Sequence, residues 1–569
     1  MIPLSRLRTA LLAYALLHGL TVRCQDTLTN YFQQEADYTI LARLDPTDHT
    51  VAVTGTLTYT NHAPDALDSL AIHLWANAYA DRDSPLGQQP RRLGQTAFAF
   101  APDSALGGYR QLQFSSPAGV QVSYADPELV WLHLPDPLAP GAQVEIGFDY
   151  VLRIPRTFSR MGRSGQSYAV TQWFPRPAVY DRDGWHTMPY LDVGEFHNEF
   201  GDYDVTIVLP ANGIVAATGE LLNPAGRKLR DDRIGQTIAT PKLVDSLTYG
   251  PGRDTFRYRA EGVIDFAWFA SPSFRVDVAT AALSRGPTPA YTYYPGDAAD
   301  DLWDEAAAFL ARAAAFADSV VGPYPFPQIS AVRGPLGTGG GMEYPMITVI
   351  GPTADRRSLD RVLAHEAFHN YFQGLLATDE HRHAWMDEGL TSWLEGRYMS
   401  HHYPADSSDL DGILPRFLRP RTPLSTAALL HGTLAAAARN PAPDTHPDSL
   451  HAIGYGYAAY TQPHDFLSQF LNEVHVVRAR QRRGRPAPLP RRRGSGRRSN
   501  SAYRSRECGS GGCRADWCPR CSGPSCGSLD RRCSAVRTVP TSPIRDGAWS
   551  SSRQRERLAR SGVGPRAGS

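Results

Sequence analysis

The sequence predicts a multidomain α+β protein: a β-rich N-terminal part, a mainly helical part after it, and an arginine-rich tail without a core. Three observations carry this reading. Apolar and polar residues alternate between turn residues through most of 36–272, alanine-rich helical periodicity begins at residue 300, and apolar periodicity is lost after residue 474. With 569 residues, 42% hydrophobic and 20% charged, the chain can build two or three domains with sizeable cores.

Residues 1–24 read as a signal peptide. Arg6 and Arg8 precede an apolar stretch from about Ala10 to Leu20, too short to span a bilayer as a helix but suited to secretion, with cleavage near Cys24. Export to a periplasm or the extracellular space is therefore expected. A short buried helix is the alternative, and it fits poorly with a terminal position followed by polar sequence. The residues "TVR" before Cys24 lack the small side chains of a lipid-attachment site. No later apolar stretch reaches the roughly 20 residues of a membrane-spanning helix.

Residues 25–272 form the expected β domain. The segments "HTVAVTGTLTYTN", "LDSLAIHLW", "AQVEIGFDYVL" and "YDVTIVLPANGIVAATGEL" alternate in period two between Gly, Pro, Asn and Asp turns. Residues 273–474 form the second domain, whose first clear helix is "DDLWDEAAAFLARAAAFADSVVG", closed by Gly322. No cysteine lies between Cys24 and Cys508, so packing rather than disulfides must stabilise both parts.

Residues 475–569 hold 23 arginines and no lysine against five acids, a formal charge of +18, which leaves about −17 on the rest. Such an acidic body does not suit nucleic acid. The tail is rich in Arg, Gly, Pro and Cys and reads as disordered, or as GC-rich DNA translated out of frame. Its "CPRC" lacks the second pair of a zinc finger, and an RNA-binding role conflicts with export.

The chemistry lies in "HEAFH". His365 and His369 are four residues apart, so on a helix both imidazoles leave one face and can share a zinc ion, with Glu366 beside it. A catalytic zinc takes three protein ligands and keeps a position open. Glu388, 19 residues after His369 in "WMDEGLTSWLE", supplies the third, giving one zinc per chain. An isolated HExxH is more often a solvated helix face; the glutamate at this distance makes the pattern specific. His381 and His383 compete by residue type, but their position in "DEHRHAW" reads as surface loop.

These motifs resemble those of the aminopeptidase N and leukotriene A hydrolase family of gluzincin metallopeptidases. "GGMEY" places Gly340, Met342 and Glu343 in register with the family's GxMEN motif, with Gly341 at its variable position and Glu343 22 residues before His365. The resemblance spans roughly residues 36–474. It implies a saddle-like N-terminal domain, a thermolysin-like catalytic domain and a zinc aminopeptidase that removes the first residue of peptides with a free N-terminus.

In that reading Glu366 is the general base, Glu343 binds the substrate amine with Gly341 and Met342 beside it, and Tyr460 stabilises the developing oxyanion, with Tyr455 five residues earlier. Gln172 in "VTQWFPRP" matches a family glutamine near the amine. Tyr344 replaces the motif asparagine, Gln462 and Pro463 replace the lysine and glycine of the family's YEKG segment, and Phe174 replaces a second polar anchor of some members. The family's helices beyond the tyrosine have no counterpart after Val474, which implies a shortened catalytic domain. An endopeptidase, an epoxide hydrolase and a catalytically impaired zinc-bearing binding protein are the alternatives on this scaffold.

Overall fold

The computed structural model describes residues 31–235, 248–295, 302–334, 336, 340–403, 441–468 and 470. The expected signal peptide at 1–24 and the tail at 475–569, with its CPRC, lie outside these residues. Among the described residues no helix is long and apolar enough to cross a membrane.

Alternation of side chains builds the first part. Strands Glu35–Asp45 and Thr50–Thr60 bury every second residue, and they pair antiparallel with Leu41 opposite Thr54. Tyr38, Ile40, Ala42 and Leu44 from the first strand and Val51, Val53, Leu57 and Tyr59 from the second enter one core. A large apolar side chain so buried contributes about 1.5–3 kcal/mol relative to exposure. The hairpin sits centrally in a seven-stranded sheet, where Glu35–Asp45 runs parallel to Gly201–Pro210 with Tyr38 opposite Tyr203. Two four-stranded sheets, one holding Leu67–His73 and the other Ile214–Ala217, and a two-stranded hairpin of Val179–Asp181 and Gly184–His186 complete this part among the described residues. Each of the four segments with clear alternation thus contains at least one strand.

The second part adds a five-stranded sheet to the expected helices, in the order Phe274–Leu283, Gly286–Pro295, Ile329–Arg333, Ile347–Ile350, Gly341–Tyr344. The last three strands carry no alternation signal because they are short and almost wholly buried. Gly341–Tyr344 is an edge strand, paired antiparallel with Ile347–Ile350 so that Glu343 faces Thr348 across the ladder.

Helix Ala306–Val320 buries Ala307, Leu310, Ala311, Ala314 and Ala317. These small side chains let helix Arg356–Phe372 approach closely, and helix Trp385–His402 packs beside it. A polar lock fixes the three. Asp360, fully buried on the middle helix, accepts hydrogen bonds from Tyr398 at 2.7 Å and Tyr403 at 2.6 Å and pairs with Arg312 of the alanine-rich helix. Arg312 also donates to the Tyr398 hydroxyl at 2.9 Å.

Asp360→Ala removes the acceptor of all three donors and is expected to lower the unfolding free energy by about 3 kcal/mol. Urea denaturation checks this, and an unchanged midpoint would show that the lock contributes nothing.

Candidate metal centre

Helix Arg356–Phe372 starts where the Asp355 carboxylate accepts from the Ser358 amide at 2.7 Å. Two turns later His365 and His369 leave the same face, four residues apart. Helix Trp385–His402 brings Glu388 in its first turn, so that Glu388 Oε2 lies 3.1 Å from His365 Nε2 and 3.5 Å from His369 Nε2. The three ligand atoms lie within 4.8 Å of one another.

The opposite edges of the imidazoles are held by two acids that the sequence reading missed. His365 Nδ1 lies 3.0 Å from Glu395 Oε2, and His369 Nδ1 lies 2.6 Å from Asp387 Oδ2. Each carboxylate can accept from the Nδ1–H, so that a neutral imidazole would keep its Nε2 lone pair for a metal ion. Arg361 pairs with the other Glu395 oxygen and fixes that acid in turn. Glu395 follows Glu388 by two helical turns on the same face, and Asp387 precedes it directly; that periodicity was the available signal.

Glu366 and Glu343 complete the cluster. A Cβ on Gly341 would lie 2.4 Å from Glu366 Cδ and 2.6 Å from its Oε1, so only glycine allows the edge strand to approach this carboxyl. Glu366 Oε2 and Glu343 Oε1 are buried without hydrogen-bond partners. Glu343 comes within 4.8 Å of the ligand atoms of His369 and Asp387. Met342 accepts a contact from Arg160 Nε at 3.0 Å, and Arg160 pairs at 2.7 Å with Glu195, another buried acid absent from the sequence reading and marked by no motif. Arg160, Glu195 and Met342, together with Gly340, Gly341 and Tyr455, line a cleft of about 460 Å³.

Tyr460 also lines this cleft. Its hydroxyl donates to Glu388 Oε1, and its ring stacks on His365 at 5.9 Å between centroids. Pro463 packs on Gly389, where a Cβ would meet it at 2.4 Å. The Tyr455 hydroxyl is buried without a partner.

Gln172 stands apart from the cleft lining. It is 1% exposed, accepts from Tyr344 at 3.2 Å and donates to Asp265 at 3.3 Å, while Asp265 also takes Arg176 at 2.7 Å. Phe174 is a core residue, edge-on to Tyr38 at 4.9 Å. One expectation needs correction: His381 is not on the surface. It belongs to a short helix, Glu380–His383, is buried, and meets the His446 ring at 4.8 Å; burial foremost pushes it down to about 4. His383 is the more exposed of the two.

The donor set fits a divalent cation. Among the described residues seven buried acids gather here: Glu195, Glu343, Glu366, Glu380, Asp387, Glu388 and Glu395. Burial raises Glu366 to about 8 against the opposing pull of His365 and His369, and burial reinforced by neighbouring carboxyls raises Glu343 and Glu380 above their usual range. Burial also opposes charge on His365, yet Glu388 and Glu395 outweigh it and raise that group to about 10. The pocket is thus arranged to hold positive charge, and two imidazoles with one carboxylate are a zinc ligand set.

Asp387→Asn is expected to weaken zinc binding by about 10- to 100-fold, since an amide cannot hold the His369 tautomer as a carboxylate does. Competition with a chromophoric chelator measures this, and unchanged affinity would remove Asp387 from the ligand support.

Comparisons with known proteins agree with this chemistry. Residues 310–420 match the peptidase family M1 domain. Leukotriene A-4 hydrolase from Xenopus laevis is 36% identical over 85 residues, 14% of this chain and 14% of that protein. Leucine aminopeptidase 2 from Chaetomium globosum is 35% identical over 95 residues, 16% of this chain and 15% of that protein. The matched stretch therefore spans about one seventh of these curated relatives. The M1 zinc metallopeptidase from Deinococcus radiodurans aligns over 72% of this chain and 83% of its own at 16% identity and a TM-score of 0.44, a likeness that carries no functional argument. The two-histidine, one-glutamate cluster thus lies wholly within the stretch that matches the peptidase family M1 domain.

Proposed function

We propose that this protein is a zinc aminopeptidase. The observation that supports it most is the Glu343 carboxyl, buried on an edge strand with one oxygen unpartnered, beside His369 and the Glu388 cluster. A buried acceptor in an acidic pocket matches the ammonium of a free peptide N-terminus, which would fix the first peptide bond relative to the ligand set. The relatives whose names include leucine aminopeptidase point the same way.

His365, His369 and Glu388 would hold the zinc, which when bound supplies Lewis acidity that acidifies water and polarises a carbonyl. Glu366 acts as general base: Oε2, which has no partner within the chain, takes a proton from water and later returns it to the leaving amine. The Tyr460 hydroxyl, which donates to Glu388 Oε1 in the absence of substrate, would turn its one proton to the oxygen that gains charge. Glu343 holds the substrate amine, with Gly341 and Met342 forming the adjoining wall of the cleft. Gln172 acts at one remove, through its bond to Tyr344 next to Glu343.

Glu366→Gln is expected to keep its metal and lose hydrolysis, because an amide cannot accept the proton. Metal analysis with an aminoacyl reporter assay checks both halves; retained turnover would exclude Glu366 as base. Glu343→Ala should lower kcat/KM on free-amine peptides by about ten- to a hundredfold, the loss of a charge-assisted contact of about 1.5–3 kcal/mol, at unchanged zinc content. N-acetylated peptides serve as the control. If wild type cleaves them as well as free peptides and Glu343→Ala changes neither rate, the site is an endopeptidase site.

A further inference from the structure

A second cluster of ligand-type side chains lies outside the site just described. His186, His197 and Asp379 each offer an atom within 4.8 Å of the others. His186 ends strand Gly184–His186, and its Nε2 lies 2.8 Å from Asp181 Oδ1. In the neutral ring that carboxylate accepts from Nε2–H, which leaves Nδ1 as a lone-pair acceptor. His186 is 8% exposed, and its Nδ1 has no hydrogen-bond partner although it lies 3.8 Å from Asp379 Oδ2. His197 Nδ1 is likewise buried and unpartnered, 3.9 Å from the same oxygen.

Asp379 is held so that this oxygen points at the imidazoles. Its Oδ1 caps helix Glu380–His383 by accepting from the Arg382 amide at 3.2 Å. Arg382 Nε lies 3.8 Å from Oδ2, beyond hydrogen-bond reach. An acceptor nitrogen directed at a carboxylate oxygen is unfavourable unless a cation joins them. A shared proton would draw one pair to about 2.7–3.2 Å, and it could serve only one imidazole. A tetrahedral zinc ion with bonds of about 2.0–2.2 Å separates its ligand atoms by roughly 3.3–3.5 Å, which small side-chain rotations from the observed spacing would reach.

We propose that His186, His197 and Asp379 bind a second zinc ion, with water in the fourth position. Asp181 then supports His186 as Asp387 supports His369. The ion joins the hairpin of the first part to the helix that immediately precedes the Glu388 helix. It raises the expected zinc content from one to two per chain.

Zinc content of the full chain, loaded with zinc and freed of excess by gel filtration, tests this. Wild type should hold two ions and His197→Ala one; the double variant His365→Ala, His369→Ala should keep one, which adding His197→Ala removes. A double variant without zinc, or unchanged content in His197→Ala, would overturn the proposal. Asp379→Asn preserves the helix cap and guards against misfolding. It should weaken binding of the ion kept by the double variant by at least about tenfold at unchanged circular dichroism. Equal affinity there would also overturn it.

Discussion

The site depends on the packing of helix Trp385–His402 against helix Arg356–Phe372. Two imidazoles on one helix define only half of a metal site; the third ligand and both orienting carboxylates, Glu388, Glu395 and Asp387, come from the other. A sliding or rotation of the pair would break three contacts together. Asp360 prevents it away from the imidazoles by tying both helices to Arg312 through Tyr398. A buried polar network of this kind favours one arrangement because any other leaves its members unpaired.

The second constraint is charge. Seven acids in one buried pocket oppose folding unless protons or a cation accompany them, and burial raises Glu343, Glu366 and Glu380 accordingly. The same excess of negative charge suits both a divalent ion and a substrate ammonium. Stability given up here is recovered in the cores of the β part, where Tyr38, Trp75, Trp173 and Trp268 are fully or almost fully buried.

The β part also shapes the site. Arg160, held by the Leu191 and Gly194 carbonyls and by Glu195, reaches Met342 beside Glu343. His186 and His197 reach Asp379, nine residues before Glu388. The cleft is therefore a property of both parts, and substitutions in loop 187–200 bear on chemistry carried by helices far away in sequence.

The sequence by itself determined the elements with a period. Alternation marked the strands around Val53 and Val205, alanine spacing marked helix Ala306–Val320, and the spacing of His365, His369 and Glu388 marked a ligand set whose atoms do converge. Local geometry suffices there, because residues four apart on a helix must share a face. Only the tertiary structure decided the rest. The strands Ile329–Arg333 and Ile347–Ile350 are buried on both faces and leave no alternation. His381 is interior because the segment around His446 covers it, and Gln172 faces Asp265 and Tyr344 because distant strands meet there. Arg160 with Met342, and His186 and His197 with Asp379, join residues 182 or more positions apart, and no local pattern encodes a contact made by folding.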